Sequence, residues 1–179
     1  MNIEVLVGDV LNVPADVLIS TANPWLQMTG GVNLKIILRP RGEFVHEELQ
    51  AHLRAAGGRY VEPGTVVRTG PGSLPVKHIL HAVSIDPSYD SSVGLVADTI
   101  VRALTQAREL GARTVTMPAL ATGFGPLSMR EFAAALSRAA EQDWSPLATL
   151  KVVLLREEDA AAVREVLVGS SGRLPEQGA

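Results

Sequence analysis

The chain has 179 residues, a net charge of −3, no cysteine, and hydrophobic residues at 46% of positions. That length suits one domain with a full core, and the lack of cysteine excludes disulfides, thiolate zinc sites and a cysteine nucleophile. The mild negative charge excludes bulk electrostatic binding of nucleic acid, and no apolar run approaches the roughly 20 residues that cross a bilayer.

Met1-Asn2-Ile3-Glu4 leads straight into a strand-like run, Ile3 to Val7, with no basic leader, so a cytoplasmic location is expected. Asp16 to Ser20 is a second strand, nearly all apolar and hence central, with Asp16 expected to start it rather than to touch ligand. A helix is predicted from Asn33 to about Leu38. It is interrupted at Arg39-Pro40-Arg41-Gly42 and resumes from Glu43 to Ala56, with Gly57-Gly58 as its stop. Thr65 to Thr69 and His78 to Val83 read as strands around a Gly70-Pro71-Gly72 turn. Val93, Val96, Ala97, Ile100, Leu104, Ala107 and Leu110 recur at helical spacing, with Gly111 as the C-terminal stop. Thr114 to Met117 is a short strand. Ser128-Met129-Arg130-Glu131 is a capping box with Leu127 and Phe132 as its staple, and its helix runs to about Gln142. Thr149 to Leu155 makes the last strand and Glu158 to Leu167 the last helix. Strands alternating with helices predict an α/β sandwich with a largely parallel sheet, whose ligands bind beyond the carboxyl ends of the strands.

The loop around Gly123 and Gly125 follows a strand and ends at the capped helix start at Ser128. Glycines there let backbone N–H groups face a phosphate; a tight strand-to-helix turn is the plainer alternative. Gly30-Gly31, shortly after Asn23, offers a second set of donors for the same ligand or another turn. Asp9, ending the first strand, can accept from an exocyclic amine or cap a turn. The Asn23 amide can hydrogen-bond ribose hydroxyls or close its own turn. His78 and His81 lie three apart in a strand and point to opposite faces, so they cannot share a metal. His46 and His52 are expected on the solvated side of their helix. Gly123 to Ser128 half-matches a dinucleotide fingerprint, but Ser128 replaces the third glycine and no acid ends the next strand.

Gly8-Asp9-Val10, Thr21-Ala22-Asn23, Thr29-Gly30-Gly31-Val32 and Ala121-Thr122-Gly123-Phe124-Gly125 stand in the order of the macro domain family, and Ile3 to about Leu167 resembles it. The resemblance implies a three-layer α/β/α sandwich with a mixed, largely parallel sheet over residues 1–168, before a flexible tail at 169–179. It also implies ADP-ribose as ligand, and ADP-ribosylated protein or nucleic acid as partner. Asp9 would take the adenine amine, the Val10 backbone the phosphate side and Asn23 the ribose. Gly30, Gly31 and Val32 would form the first phosphate loop, and Ala121, Thr122, Gly123, Phe124 and Gly125 the second. Leu155 would supply an apolar contact where the family commonly stacks an aromatic on adenine. Thr29 takes the place of a glycine, Pro126 removes an N–H, and Asn33 stands where hydrolases of the family often carry aspartate. The implied activity is hydrolysis of ADP-ribosyl conjugates with acidic leaving groups, without metal or cofactor, Asn33 orienting a water or a ribose hydroxyl. The alternative is a non-catalytic ADP-ribose reader.

Overall fold

A computed structural model describes residues 1–171. Strands β1 (Asn2–Val7), β2 (Val17–Ala22), β3 (Val66–Thr69), β4 (His78–Val83), β5 (Thr114–Met117) and β6 (Thr149–Leu154) form a six-stranded sheet in the order β1-β6-β5-β2-β4-β3. All neighbours are parallel except β3, which runs antiparallel to β4. Parallel neighbours need crossovers, and helices α1 (Gly31–Ile37), α2 (Gly42–Ala55), α3 (Val93–Glu109) and α4 (Met129–Ala140) lie in these connections, while α5 (Glu157–Ser171) follows the last strand.

The apolar run of β2 is explained by cover on both faces. Val17 and Ile19 join Ile100, Leu104, Phe132, Leu136 and Val163 in a core under α3, α4 and α5. Leu18 and Ala22 face the other way, with Ile79, Val83, Ile36, Val45 and Leu49 under α1 and α2. Each such fully buried side chain contributes about 1.5–3 kcal/mol. The result is the three-layer α/β/α sandwich that the sequence predicts. At the amino ends of β2 and β5, the Asp16 carboxylate accepts from Arg113 N at 2.9 Å, Thr114 N at 3.0 Å and Thr114 Oγ1 at 3.0 Å, and Lys77 Nζ lies at 2.8 Å. Lys77 first, then the backbone donors, hold this carboxyl well below the usual range. Asp16 therefore clamps two strand starts, at the end of the sheet opposite the cleft described below.

Several expectations are adjusted. Helix α1 begins at Gly31 rather than Asn33, with Gly30 as its N-cap, and Gly31 takes φ +56° at the turn into the helix, which glycine adopts at little cost. Helix α4 stops at Ala140, short of Gln142. Helix α5 runs on to Ser171, past Leu167, so 169–171 belong to it; the rest of the expected tail, 172–179, lies outside the described residues. His52 is exposed, but His46 is only partly so, and its Nδ1 is buried without a hydrogen-bond partner. No helix of the described residues is long and apolar enough to cross a membrane.

Candidate functional site

The carboxyl ends of β1, β6, β5, β2 and β4 open into a cleft of about 710 Å³. Its loops follow the strands across the sheet. Asp9 lies at the β1 end, Leu155 after β6, the Gly123 loop after β5, Asn23 and Gly30 after β2, and Tyr89 after β4. Asp9, Val10, Asn23, Gly30, Gly31, Val32, Asn33, Ala121, Thr122, Gly123, Phe124, Gly125 and Leu155 all line it. Segments more than a hundred residues apart thus meet in one concavity of ordinary ligand size.

At the β1 end, Asp9 does two things. Its Oδ1 accepts from Leu11 N at 3.1 Å and caps the 3-10 turn Val10–Asn12. Its Oδ2 lies 3.9 Å from Lys35 Nζ, too far for a hydrogen bond, and stays available at the cleft. The Val10 side chain is buried in the α1/α2 core, so only its backbone serves the cleft. Arg156 also lines this end, but Asp159 holds it bidentately at 2.8 and 3.0 Å, with Glu158 beside it, so its charge is already matched.

In the loop after β2, Asn23 closes its own turn. Nδ2 donates to Gln27 O at 2.9 Å, and Oδ1 accepts from Gln27 N at 3.0 Å. Of the two readings of Asn23, the hydrogen bonds realise the turn, while its position keeps it on the cleft wall. Leu26, at φ +52°, is fully buried and pins this loop to the core.

The two glycine loops pack against each other. A Cβ on Gly30 would meet Phe124 Cε2 at 2.7 Å, so the ring lies directly on the Gly30 backbone. Gly125 crosses over Ala121, whose carbonyl oxygen would lie 2.6 Å from an added Cβ. Ala121 itself adopts φ +57°, and its carbonyl accepts from Leu127 N at 3.0 Å, closing the loop. Gly123 faces open space, with no atom within 4 Å of an added Cβ. The fold therefore requires glycine at Gly125, whereas Gly123 borders only the cleft. Behind the loop, the capping box at Ser128 and Glu131 is complete.

Asn33 is almost fully buried, and its Oδ1 accepts from Ser20 Oγ at 2.9 Å. That bond leaves Nδ2, a donor, as the group Asn33 can offer to the cleft. The carboxylates among the described cleft residues are Asp9 and Asp159, both at the β1–β6 end, away from Asn33.

Sequence reasoning missed the fifth wall, the loop at 84–92. Asp86 Oδ1 accepts from Ser88 N at 2.7 Å and Asp90 N at 2.8 Å, and Tyr89 N donates to Asp86 O at 2.9 Å. This tight turn carries Tyr89 at φ +65° into the cleft lining. The signal was present in Asp86-Pro87-Ser88, a turn-forming run.

A family profile described as Macro domain matches residues 19–136. A protein of Pyrobaculum aerophilum is 34% identical over 116 residues, which span 65% of this chain and 62% of that relative. A Klebsiella pneumoniae protein named O-acetyl-ADP-ribose deacetylase is 29% identical, over 92% of this chain and 95% of its own length. Among solved structures, a mutant Oceanobacillus iheyensis macrodomain with ADPR matches with TM-score 0.85 at 24% identity, covering 96% of this chain and 94% of that one. The Trypanosoma brucei macrodomain in complex with ADP-ribose matches with TM-score 0.75 at 18% identity, covering 92% of this chain and 68% of that one. At such identities these structures speak for the fold alone. With four motif segments converging on one cleft, and with the profile covering most of the chain, the protein belongs to the macro domain family.

Proposed function

We propose that the cleft binds ADP-ribose and hydrolyses ADP-ribosyl conjugates whose leaving group is acidic, without metal. The observation that carries this reading is the order of chemistry along the cleft. An acid sits at one end, two glycine loops cross the middle, and buried Asn33 lies beside the second strand. Adenine would place its amine on Asp9 Oδ2 and its face near Leu155. The pyrophosphate would lie across backbone N–H groups of Gly30, Gly31, Thr122, Gly123 and Phe124. The distal ribose would then reach Asn23 and Asn33.

In this reading water forms a C–O bond at the distal ribose C1″ as the bond to the leaving group breaks, the electron pair departing with that group. The water proton passes to a phosphate oxygen of the substrate or to solvent, and finally to the leaving group. Asn33 Nδ2 orients water or a ribose hydroxyl but takes no proton. Rate then comes from positioning, which suffices only for groups that leave readily, such as a Glu or Asp carboxylate or a nucleobase imide nitrogen. Guanidine leaves badly without an acid. The absence of a carboxylate beside Asn33 among the described cleft residues favours a second reading, a reader that binds ADP-ribose without turnover.

The test follows ADP-ribose release from carboxylate-linked protein, arginine-linked protein and ADP-ribosylated DNA, each with chelator present. Release from the carboxylate or nucleobase conjugate and resistance of the arginine conjugate are expected. Tight ADP-ribose binding with no release from any would leave the reader. Preferential arginine release, or dependence on metal, would refute the mechanism.

A further inference from the structure

Among the described residues the cleft lining carries two cations, Lys35 and Arg156. Asp159 and Glu158 already hold Arg156. Lys35 is arranged differently. Its side chain is half-exposed, and its Nζ stops 3.9 Å short of Asp9 Oδ2. Lys77, by contrast, closes fully on Asp16 at 2.8 Å.

The wider spacing has structural causes. Asp9 is not free to swing toward the ammonium, because its Oδ1 accepts from Leu11 N at 3.1 Å and caps the turn Val10–Asn12. Lys35 stands in the last turn of α1, and the chain just past that helix is tied to the same turn. Arg39 donates to Asn12 Oδ1 at 2.7 Å and to Leu11 O at 3.4 Å. The element that carries the acceptor and the element that carries the donor are thus braced against each other. Between them they leave an acceptor and a donor side by side on the cleft wall, next to the exposed Leu155.

We infer that Asp9 and Lys35 form a two-point reader of the adenine edge, which makes Lys35 a specificity-determining residue. Asp9 Oδ2 accepts from the exocyclic amine, and Lys35 Nζ donates to a ring nitrogen beside that amine, N1 or N7. This rests on the ADP-ribose reading and deepens it, since it states how the base is selected. Adenine sets an amine donor next to ring-nitrogen acceptors, whereas a 6-oxopurine sets a carbonyl acceptor there. In the same pose, hypoxanthine would turn its O6 against the Asp9 carboxylate. A span of 3.9 Å suits two hydrogen bonds that diverge from neighbouring atoms of one base. The pyrophosphate is the other anion a lysine could serve. Gly30 and Gly31 lie a full helical turn before Lys35, however, at the opposite end of α1. Lys35 Nζ is at the Asp9 end, so it serves the base.

The test is calorimetric titration of wild type and Lys35→Met with four ligands. They are ADP-ribose, its hypoxanthine analogue, and its 1-deaza and 7-deaza analogues, each deaza form lacking one ring nitrogen. Methionine keeps much of the apolar stem at a half-exposed position, and melting curves check that the variant is folded. Wild type is expected to prefer ADP-ribose over the hypoxanthine analogue by about tenfold or more. Lys35→Met loses about tenfold on ADP-ribose. One deaza analogue binds wild type as weakly as ADP-ribose binds the variant and is indifferent to the substitution, which identifies the nitrogen that Lys35 contacts. The other deaza analogue behaves like ADP-ribose. A loss that is uniform across all four ligands would assign Lys35 to the pyrophosphate and overturn the reader. An unchanged or tighter ADP-ribose affinity in Lys35→Met would overturn it as well. If Asp9→Asn weakens ADP-ribose while Lys35→Met does not, the ADP-ribose reading stands and the reader alone fails. Failure of wild type to bind ADP-ribose overturns both.

Discussion

Gly123 and Gly125 lie two residues apart and do different work. A side chain at Gly125 runs into the Ala121 backbone, so Gly125→Ala is expected to cost about 1–3 kcal/mol of stability. A Cβ at Gly123 meets no atom within 4 Å, so Gly123→Val should leave the melting temperature near wild type. It fills the phosphate path, however, and should weaken ADP-ribose by about tenfold or more, roughly 1.4 kcal/mol. Paired melting and calorimetry on both variants check this, and wild-type affinity in Gly123→Val would place the phosphates elsewhere. At Asn33 the expectation has the opposite sign. Asn33→Asp keeps the Ser20 Oγ donor at 2.9 Å and adds a proton acceptor. Turnover of a carboxylate-linked conjugate should rise by something like 10²-fold, and kcat should gain a limb that falls at acid pH as the new carboxyl protonates. A flat, unchanged profile would show that no base acts from this position. Gly123 and Gly125 were legible because their loop joins an apolar strand to a capped helix start, and Asn33 because it follows the Gly30-Gly31 pair in the family's motif order. Asn23 was legible only as a choice, since one amide serves a ribose or its own turn equally well on paper. Tyr89 and Lys35 were not legible, because a tyrosine in an irregular loop and a lysine on a short helix carry no periodic signal.

Strands and helices with two-sided cover or a clear cap were read closely. β4 and β5 match their predicted limits, and the capping box places the start of α4 after Ser128. Helix ends were less readable. Nothing in the apolar spacing after Leu167 requires the turn that carries α5 to Ser171. The antiparallel direction of β3 was also hidden, because direction is set by the short turn to β4 and by packing rather than by composition. Both outer strands have carbonyls taken by helix side chains. Arg164 donates to Val5 O at 2.9 Å on β1, Gln106 donates to Val66 O at 3.3 Å on β3, and Arg102 donates to Gly64 O at 3.2 Å just before it. Such contacts hinder edge-to-edge pairing. The clamp at Asp16 belongs to this scale as well. Asp16→Ala removes a charged acceptor shared by β2 and β5 and should lower stability by about 2–3 kcal/mol. Its folded pKa is depressed, so this stability is present above the ordinary carboxylate value and is lost as pH falls below it. ADP-ribose affinity should be unchanged, since the clamp is at the opposite end of the sheet. Urea unfolding with parallel titrations checks both halves.

At the scale of the molecule, the sheet hides a polar row under α1 and α2. Thr69 Oγ1 lies 3.0 Å from His81 Nε2, while His81 Nδ1 and Thr116 Oγ1 are buried without a partner. Burial pushes His81 down to about 3 from its ordinary 6.5, so it is neutral in the folded state. An unfolded chain takes up that proton as pH drops below about 6.5, whereas the folded chain does so only near 3. Stability is therefore full above pH 6.5 and declines on acidification, by about 1–2 kcal/mol between pH 7 and pH 5. His81→Leu should flatten that interval in urea unfolding, and an unaltered slope would assign it to other groups. The central claim concerns the ligand that spans the strand ends from Asp9 to Asn33. Calorimetric titration of ADP-ribose into wild type and Asp9→Asn tests it most directly, because Asn keeps the Oδ1 cap on Leu11 while offering the adenine amine a donor in place of Oδ2. The account predicts one-to-one binding to wild type, and a loss of about 1.5–3 kcal/mol in a variant that melts like wild type. No binding to wild type, or equal affinity for both proteins, would contradict it.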